Sequence, residues 1–414
     1  MSGSITNTFL NPDMITKRAL PLFVNTNAFL KNIDRQYSDQ FARTGAKIGD
    51  NLRIRLPSDF TVSSGPSLSP QSITQINTNL TVSNQEHVDI VITSADLALK
   101  VEEFDDLILK PAMNRLAGQV ASDVMSLVNT IPNVSAYFSS GTTVGTPNQR
   151  ALAGAKAQLL TNSATDGDMM AVMSPTSMAN ISSQFSGLFN PTGRISEMFD
   201  SGEVVGPAFG IQKFMNDQLV PVVTTGGNGT LPTINGAGQT GTTLTVTAAT
   251  SGASLNVGDI ITIAGVNAVN RVTHTSIGQL RTFVVTAAYT GGTGTTLSIY
   301  PALTPLGSGG ADAPFATVDT SPASGAAISV VLAGGQTITK NFVMKRNAFT
   351  LATVDLPMYD KGVVDAAREN YDGISMRCLR TYYPQTDQLI LRLDVLYGYA
   401  ALRPEWACVV PDIV

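Results

Sequence analysis

The sequence predicts an α+β chain interrupted by an inserted all-β module. Three observations predict it. Charge is scarce and uneven: 14% of the 414 residues are Asp, Glu, Lys or Arg, against about 25% in ordinary soluble proteins. Residues 221 to 340 hold only Asp259, Arg271, Arg281, Asp312, Asp319 and Lys340, together with 19 of the 36 glycines, many threonines and short segments of strand period. The flanking segments mix helical and strand periodicity.

The elements follow in order. MSGSITNTFLNPDMITKRAL holds no apolar block of signal-peptide length, and the longest apolar run elsewhere, Ala326 to Ala333, is far too short to span a bilayer. A soluble chain made in the cytosol is expected. Leu52, Ile54 and Leu56 alternate with Arg53 and Arg55, and Val88, Ile90 and Ile92 alternate around Asp89, so these stretches are expected to pair as a hairpin. Residues 57 to 78 between them are rich in Ser, Pro, Gln and Thr; connections of that length inside a domain usually have a task, here an arm laid on another subunit. After Ser94 the pattern turns helical. Glu102, Glu103, Asp105 and Asp106 precede Pro111, which suits a helix N-terminus better than a metal site, and Leu116, Val120, Val124 and Leu127 recur at helical spacing. Further helices are expected from about 148 to 161 and from Pro175 to Phe185. In the β module, Leu244, Val246 and Ala248, Ile261 and Ile263, Val284 and Val285, and Leu297 and Ile299 mark strands of a small barrel or sandwich. Leu389 to Tyr397 then alternate as a long strand ending near Gly398, and a last strand covers Ala407 to Val410.

Catalytic chemistry is hard to find. His87 and His274 stand far apart and outside any zinc spacing, and Cys378 and Cys408 form no metal or redox motif, so both cysteines read as buried thiols. Gly236, Gly238 and Gly241 spell GxGxxG, but Thr242 to Val246 continue as strand where a dinucleotide site needs a helix. Net charge of -5 excludes a dedicated nucleic-acid binder; Lys17-Arg18, Lys345-Arg346 and Arg377/Arg380 are small basic spots. Trp406, the single tryptophan, reads as a packing anchor, with Arg403 and Glu405 as candidates for an ion pair across a subunit boundary. No catalytic, cofactor or metal site is expected.

At this point the residues resemble the major capsid proteins of tailed bacteriophages, in particular the phage P22 coat protein family. The resemblance rests on the hairpin from Gly49-Asp50 to Ile92, on Asp105-Asp106-Leu107-Ile108-Leu109-Lys110-Pro111-Ala112 with Leu116-Ala117, on Phe209 to Asp217, on Val257 to Val266, and on Tyr397-Gly398-Tyr399-Ala400-Ala401-Leu402-Arg403-Pro404-Glu405. It implies an HK97-like capsid fold: an N-terminal arm (1–46), an extended-loop hairpin (47–93), a peripheral domain with the spine helix and the first part of an axial domain (94–222), an inserted β-domain (223–345), and the rest of the axial domain with closing strands (346–414). It implies a non-enzymatic coat protein of the virion, assembled in the host cytoplasm through pentamers and hexamers into an icosahedral shell. The implied partners are further copies of the chain, a portal protein at one vertex, a scaffolding protein and non-specifically held double-stranded DNA, with no membrane. Some members of the wider fold weld the shell through an extended-loop lysine; residues 51 to 99 contain none. A charged loop of the inserted domain reaches a neighbouring capsomer in P22-type coats, whereas residues 226 to 241 carry no charge here.

On this reading many weak contacts per copy make the shell collectively stable. Arg53 and Arg55, on the solvent face of the loop stem, are the leading candidates for intersubunit ion pairs, with Arg403, Glu405 and Trp406 as further contacts. The β module is expected to hold its contacts without salt bridges. A surface or fibre adhesin with a Gly/Thr-rich β module is the rival; it leaves the helical flanks unexplained.

Overall fold

A computed structural model of the chain describes residues 12–38, 51–60, 75–92, 105–135, 149–164, 167–185, 200–204, 206–227, 229–307, 315–332, 334–359, 365–383 and 388–413, with single positions 62, 65, 66, 68, 70, 73, 147 and 385. The chain divides into two units, one of residues 1–54, 78–124 and 349–400 and one of residues 55–77, 125–348 and 401–414.

The first unit is built on the long strand Gln388–Ala401, whose inward side chains Leu391, Leu393, Val395 and Tyr397 are fully buried. It runs between Phe349–Val354 and Ile374–Tyr383, and Asp365–Tyr371 lies on the outer side of the latter. The strand Asn84–Ile92 also joins Gln388–Ala401, antiparallel, in register from Leu389↔Ile92 to Tyr397↔Asn84. This corrects the expected hairpin. Asn51–Arg55 pairs instead with Asn77–Thr81, the ladder continuing through Leu56 N to Ile76 O at 2.9 Å. Alternation in Val88 and Ile90 specifies a strand with one apolar face but carries no record of the partner, and the long apolar strand three hundred residues later offers nine consecutive pairings.

Two helices in the first unit went unassigned in the sequence. Pro12–Thr26 starts on Pro12 with Asp13 in its first turn, and buries Ile15, Ala19, Leu20, Phe23 and Val24 along one stripe despite Pro21. That stripe packs on the strands Asp365–Tyr371 and Ile374–Tyr383. Ala28–Asn32 follows at once, its start fixed by Asn27 Oδ1, which accepts from Phe29 N at 2.8 Å and Leu30 N at 3.0 Å. The helix expected from the spacing of Leu116, Val120 and Val124 spans Lys110–Met125, preceded by a π-helical turn at Asp105–Leu109 and followed by a 3₁₀ turn at Ser126–Thr130. Leu116, Val120 and Val124 are its buried face, and Tyr397 donates from its hydroxyl to Asp123. Glu102 and Glu103 lie outside the described residues. A Cβ on Gly398 would stand 2.2 Å from the carbonyl oxygen of Thr81, so glycine alone lets the long strand pass at this point.

In the second unit a six-stranded sheet runs Asn133–Val134, Ala407–Ile413, Thr337–Lys345, Met169–Met173 and Lys213–Asn216, with Val222–Thr224 added on Thr337–Lys345. The helices Gln149–Thr161 and Pro175–Phe185, as expected from the sequence, cover it through Leu152, Leu159, Met178 and Ile181, packed with Val343 and Cys408. Both cysteines are free and buried, and burial pushes the Cys378 thiol up to about 12.

A five-stranded sheet of order Ile328–Val330, Ile260–Asn270, Thr275–Val285, Thr296–Leu303 and Gly241–Thr245 holds a separate apolar core that includes Leu244, Ile261, Ile263, Phe283 and Ile299. Its two outer strands are joined through one short segment, since Thr233 bridges Ala327 and Ile234 bridges Val246. The chain enters and leaves this β segment side by side: Val222–Thr224 pairs with the start of Thr337–Lys345, and Thr225 N donates to Gln336 O at 2.8 Å. Gly236 and Gly238 sit in a turn at positive φ and Gly241 opens a strand, so the GxGxxG match is a strand connection.

Candidate functional site

The few charges of the β segment have specific places. Asp319 accepts from Asn267 N (2.9 Å), Asn267 Nδ2 (2.8 Å), Ser276 Oγ (3.0 Å) and Thr320 N (2.8 Å), tying the outer loops together. Partial burial pushes its carboxyl up, but these hydrogen bonds outweigh burial and hold it below the usual carboxylate range.

Asp259 and Lys340 serve the point of attachment. Asp259 accepts from Gly226 N at 3.0 Å and Asn256 N at 2.7 Å, and burial raises its pKa against those bonds and the charge of Lys340. Lys340 is 1% exposed and donates to Gly258 O at 2.7 Å and Asn129 Oδ1 at 2.9 Å. Gly258, at φ +89°, leaves the room: a Cβ there would lie 2.7 Å from Lys340 Nζ. Burial depresses the Lys340 ammonium to about 8, partly offset by Asp259. The folded state therefore binds fewer protons than the unfolded chain between about pH 8 and the ordinary lysine pKa. By linkage, stability rises with pH across that window, and below pH 8 the cost of the buried ammonium is fully present, about 3 kcal/mol. Urea unfolding from pH 7 to 10.5 is expected to show the wild type gaining on Lys340→Met by up to this amount; a pH-independent difference would contradict it.

Of the remaining charges Asp312 lies outside the described residues, and Arg271 and Arg281 meet Glu405, one of the three sequence-predicted residues Arg403, Glu405 and Trp406. Pro404 opens a 3₁₀ turn, Pro404–Trp406, where its fixed φ suits the first helical position. Leu402 N and Arg403 N both donate to Ala348 O, at 2.9 and 3.1 Å, and Asn133 Nδ2 donates to the carbonyls of Glu405 (2.8 Å) and Ala407 (3.0 Å). This fixed turn aims Glu405 at the β segment. Arg271 Nη1 donates to Glu405 Oε2 at 2.8 Å, and its Nη2 lies 3.5 Å from Asp59, four residues after the strand Asn51–Arg55. Arg281 Nη2 lies 3.8 Å from Glu405 Oε1 while its Nη1 donates to Asn162 Oδ1 at 2.8 Å. Burial depresses the Arg281 guanidinium, with Glu405 opposing; burial and then the charge of Arg271 depress that of Arg403. Tyr300 adjoins the same charges, and burial together with Glu405 raises its hydroxyl well above the usual phenol value.

Trp406 is held from both chemistry and packing. Its Nε1 donates to Asn162 O at 3.3 Å, it packs on the helix-covered core, and the guanidinium of Arg403 and the ammonium of Lys345 stand 4.2 and 5.0 Å from its ring centroid. A cavity of about 320 Å³ opens beside the cluster, with Leu56, Ile76, Pro301, Phe315 and Leu402 as apolar wall and Arg271, Arg403, Glu405 and Tyr300 as polar wall.

The structure thus brings Arg403, Glu405 and Trp406 together and gives Glu405 and Trp406 partners within the chain. Arg53 and Arg55 are exposed on the strand Asn51–Arg55. The expectation that the β segment holds its contacts without salt bridges is corrected, because Arg271 and Arg281 both reach Glu405. Arg271, Arg281, Tyr300, Asp59 and Asn162 were not singled out in the sequence; the isolation of two arginines in a nearly uncharged stretch was the available signal. Among the described residues no group of His, Cys, Asp and Glu could hold a metal ion, and no helix is long and apolar enough to cross a membrane.

Comparison with known proteins gives a family. By fold, the chain is similar to a structure from Mycobacterium phage Che8 (9% identity, 93% of this chain and 90% of that one, TM-score 0.44). It is also similar to the capsid of Ralstonia phage GP4 (7% identity, 89% and 84%, TM-score 0.42). The CUS-3 coat protein I-domain is 32% identical over 25% of this chain and 97% of its own length, with a TM-score of 0.20. The search of curated proteins returns no match. The model of the family described as "P22 coat protein - gene protein 5" matches residues 13–410, nearly the whole sequence, and the chain therefore belongs to the P22 coat protein family.

Proposed function

We propose that this coat protein assembles through pentamers and hexamers into an icosahedral shell around double-stranded DNA, in an HK97-like fold whose extended loop covers a neighbouring copy. The exposure of the loop carries the reading. Phe60, Val62, Leu68 and Ile73 are 54%, 95%, 91% and 71% exposed in one copy, a run of large apolar side chains that a soluble monomer has no reason to present and a neighbour would cover. The β segment bounded by Thr225 and Gln336 is the family's inserted domain in this proposal, closed through Thr233 and Ile234 and standing on the stem formed by Val222–Thr224 and Thr337–Lys345. A portal protein at one vertex, a scaffolding protein during assembly in the host cytoplasm, and non-specific contact with packaged DNA complete it. The adhesin alternative gains no support.

Sedimentation of the full chain, alone and co-expressed with a scaffolding protein, tests this: closed, fast-sedimenting particles are expected, and compact monomers or open filaments under every condition would reject it. Arg53 and Arg55, exposed on the loop stem, supply intersubunit ion pairs in the proposal, as Arg403, Glu405 and Trp406 supply contacts at the junction. Arg53→Glu combined with Arg55→Glu is expected to lower particle yield severalfold while leaving the unfolding midpoint of the free chain within a degree or two, since exposed pairs contribute about 1 kcal/mol or less each. Normal particle yield would remove these residues from the interface.

A further inference from the structure

Among the described residues, the cluster beside the 320 Å³ cavity is short of negative charge. Arg271, Arg281 and Arg403 share two carboxylates, Glu405 and Asp59, and Lys345 adds a fourth cation against Trp406. The shortage falls on Arg403. Its guanidinium lies over the Trp406 ring at 4.2 Å, which limits where it can move, yet among the described residues no acceptor takes a hydrogen bond from it; the Tyr300 hydroxyl likewise has none. Both line the cavity together with Leu56, Ile76, Phe315 and Leu402.

A planar guanidinium with unspent donors beside a neutral phenol suits one acceptor, a carboxylate taken by charge-assisted hydrogen bonds. The apolar wall asks for hydrocarbon next to that carboxylate, which a bare inorganic anion or a DNA phosphate lacks. We propose that the cavity is a socket for an acidic side chain flanked by apolar residues, supplied by a second copy of this chain. The proposal rests on the coat reading, which brings many copies together at high effective concentration, and the chain has the anions to supply: 31 Asp and Glu against 26 Lys and Arg. Because the walls come from the base of the extended loop (Leu56, Ile76), the β segment (Tyr300, Phe315) and the C-terminal segment (Leu402, Arg403), an occupant would fasten all three to one another in the assembled state.

The test places a coupling amine in the socket. Particles assembled from equal amounts of ¹⁵N-labelled and unlabelled Arg403→Lys chains are treated with a water-soluble carbodiimide, which joins an amine to a contacting carboxylate with loss of water, and peptides containing position 403 are sequenced by mass spectrometry. The expected product is a mixed-isotope crosslink to an Asp or Glu flanked by apolar residues, present in particles and absent from unassembled chains. Adducts only to carboxylates of the same copy, such as Asp59 or Glu405, or no adduct in well-formed particles, would overturn the socket while leaving the coat reading intact. Wild-type chains that form no particles would overturn the coat reading and the socket with it. Tyr300→Phe removes one donor without altering the packed ring; it is expected to raise the threshold concentration for assembly about threefold with the free chain's unfolding midpoint unchanged, and an unchanged threshold would also count against the socket.

Discussion

Glu405→Gln is expected to destabilise the free chain by about 3 kcal/mol or more, although it changes one atom of a side chain that is 14% exposed. The substitution keeps shape and removes charge, and it leaves Arg281, whose side chain is 8% exposed, without its carboxylate. Breaking a buried ion pair by removing one partner costs roughly 3–5 kcal/mol because the survivor is an uncompensated buried charge. Arg271 loses its 2.8 Å partner in the same step and keeps only the more distant Asp59. Arg281→Met should recover much of the loss: the double variant is expected to be less destabilised than the sum of the single ones by at least about 1.5 kcal/mol. Urea unfolding of the four proteins measures this, and additive effects, or a cost for Glu405→Gln below about 1 kcal/mol, would show that the junction is held by packing alone.

Asp394→Asn is expected to be as damaging in the first unit. Asp394 is fully buried and accepts from Arg377 Nε at 3.1 Å, Arg377 Nη2 at 2.5 Å and Gln85 Nε2 at 3.0 Å. One carboxylate thus joins the strands Asn84–Ile92, Ile374–Tyr383 and Gln388–Ala401. Arg377 is itself 5% exposed, with Nη1 on Pro357 O at 2.7 Å and its guanidinium 5.5 Å from the Tyr359 ring. Asparagine can accept at one oxygen but brings an NH₂ against the arginine, so the expected loss is about 3–5 kcal/mol. Hydrogen exchange should show it as lost protection in Asn84–Ile92 first, since among the described residues that strand pairs into the sheet only with Gln388–Ala401. Uniform loss over the unit would argue that the carboxylate supports the whole fold and does not pin that strand in particular.

How much of this was legible in the sequence depended on whether a residue's fate is decided locally. The helices Gln149–Thr161 and Pro175–Phe185 and the strand Gln388–Ala401 follow from start signals and periodicity alone. The strand period of Val88 and Ile90 was readable, but its partner lies about three hundred residues away, and pairing of that range is a property of the folded chain. Pro12–Thr26 was obscured by Pro21 inside the helix and by a stretch that otherwise reads as an arm. At the junction, Glu405, Arg403 and Trp406 could be picked out as a compact motif around Pro404. Arg271 and Arg281 could not be joined to them, because scarcity of charge shows that a charge matters without showing what it meets. The same scarcity misled in one respect: a segment nearly free of charge was expected to make no ion pairs, and it places both of its arginines in one.

In the proposed reading this coat protein forms a closed shell, and its β segment is an insert anchored at Glu405, Lys340 and Asp259. Electron cryomicroscopy of the purified assembly tests it most directly. A closed icosahedral particle is predicted, with five- and six-fold clusters of one subunit, the β segment standing on its two-stranded stem and the 57–76 loop covered by a neighbouring copy. Filaments, small trimers, or a closed shell in which that loop stands free in solvent would contradict it.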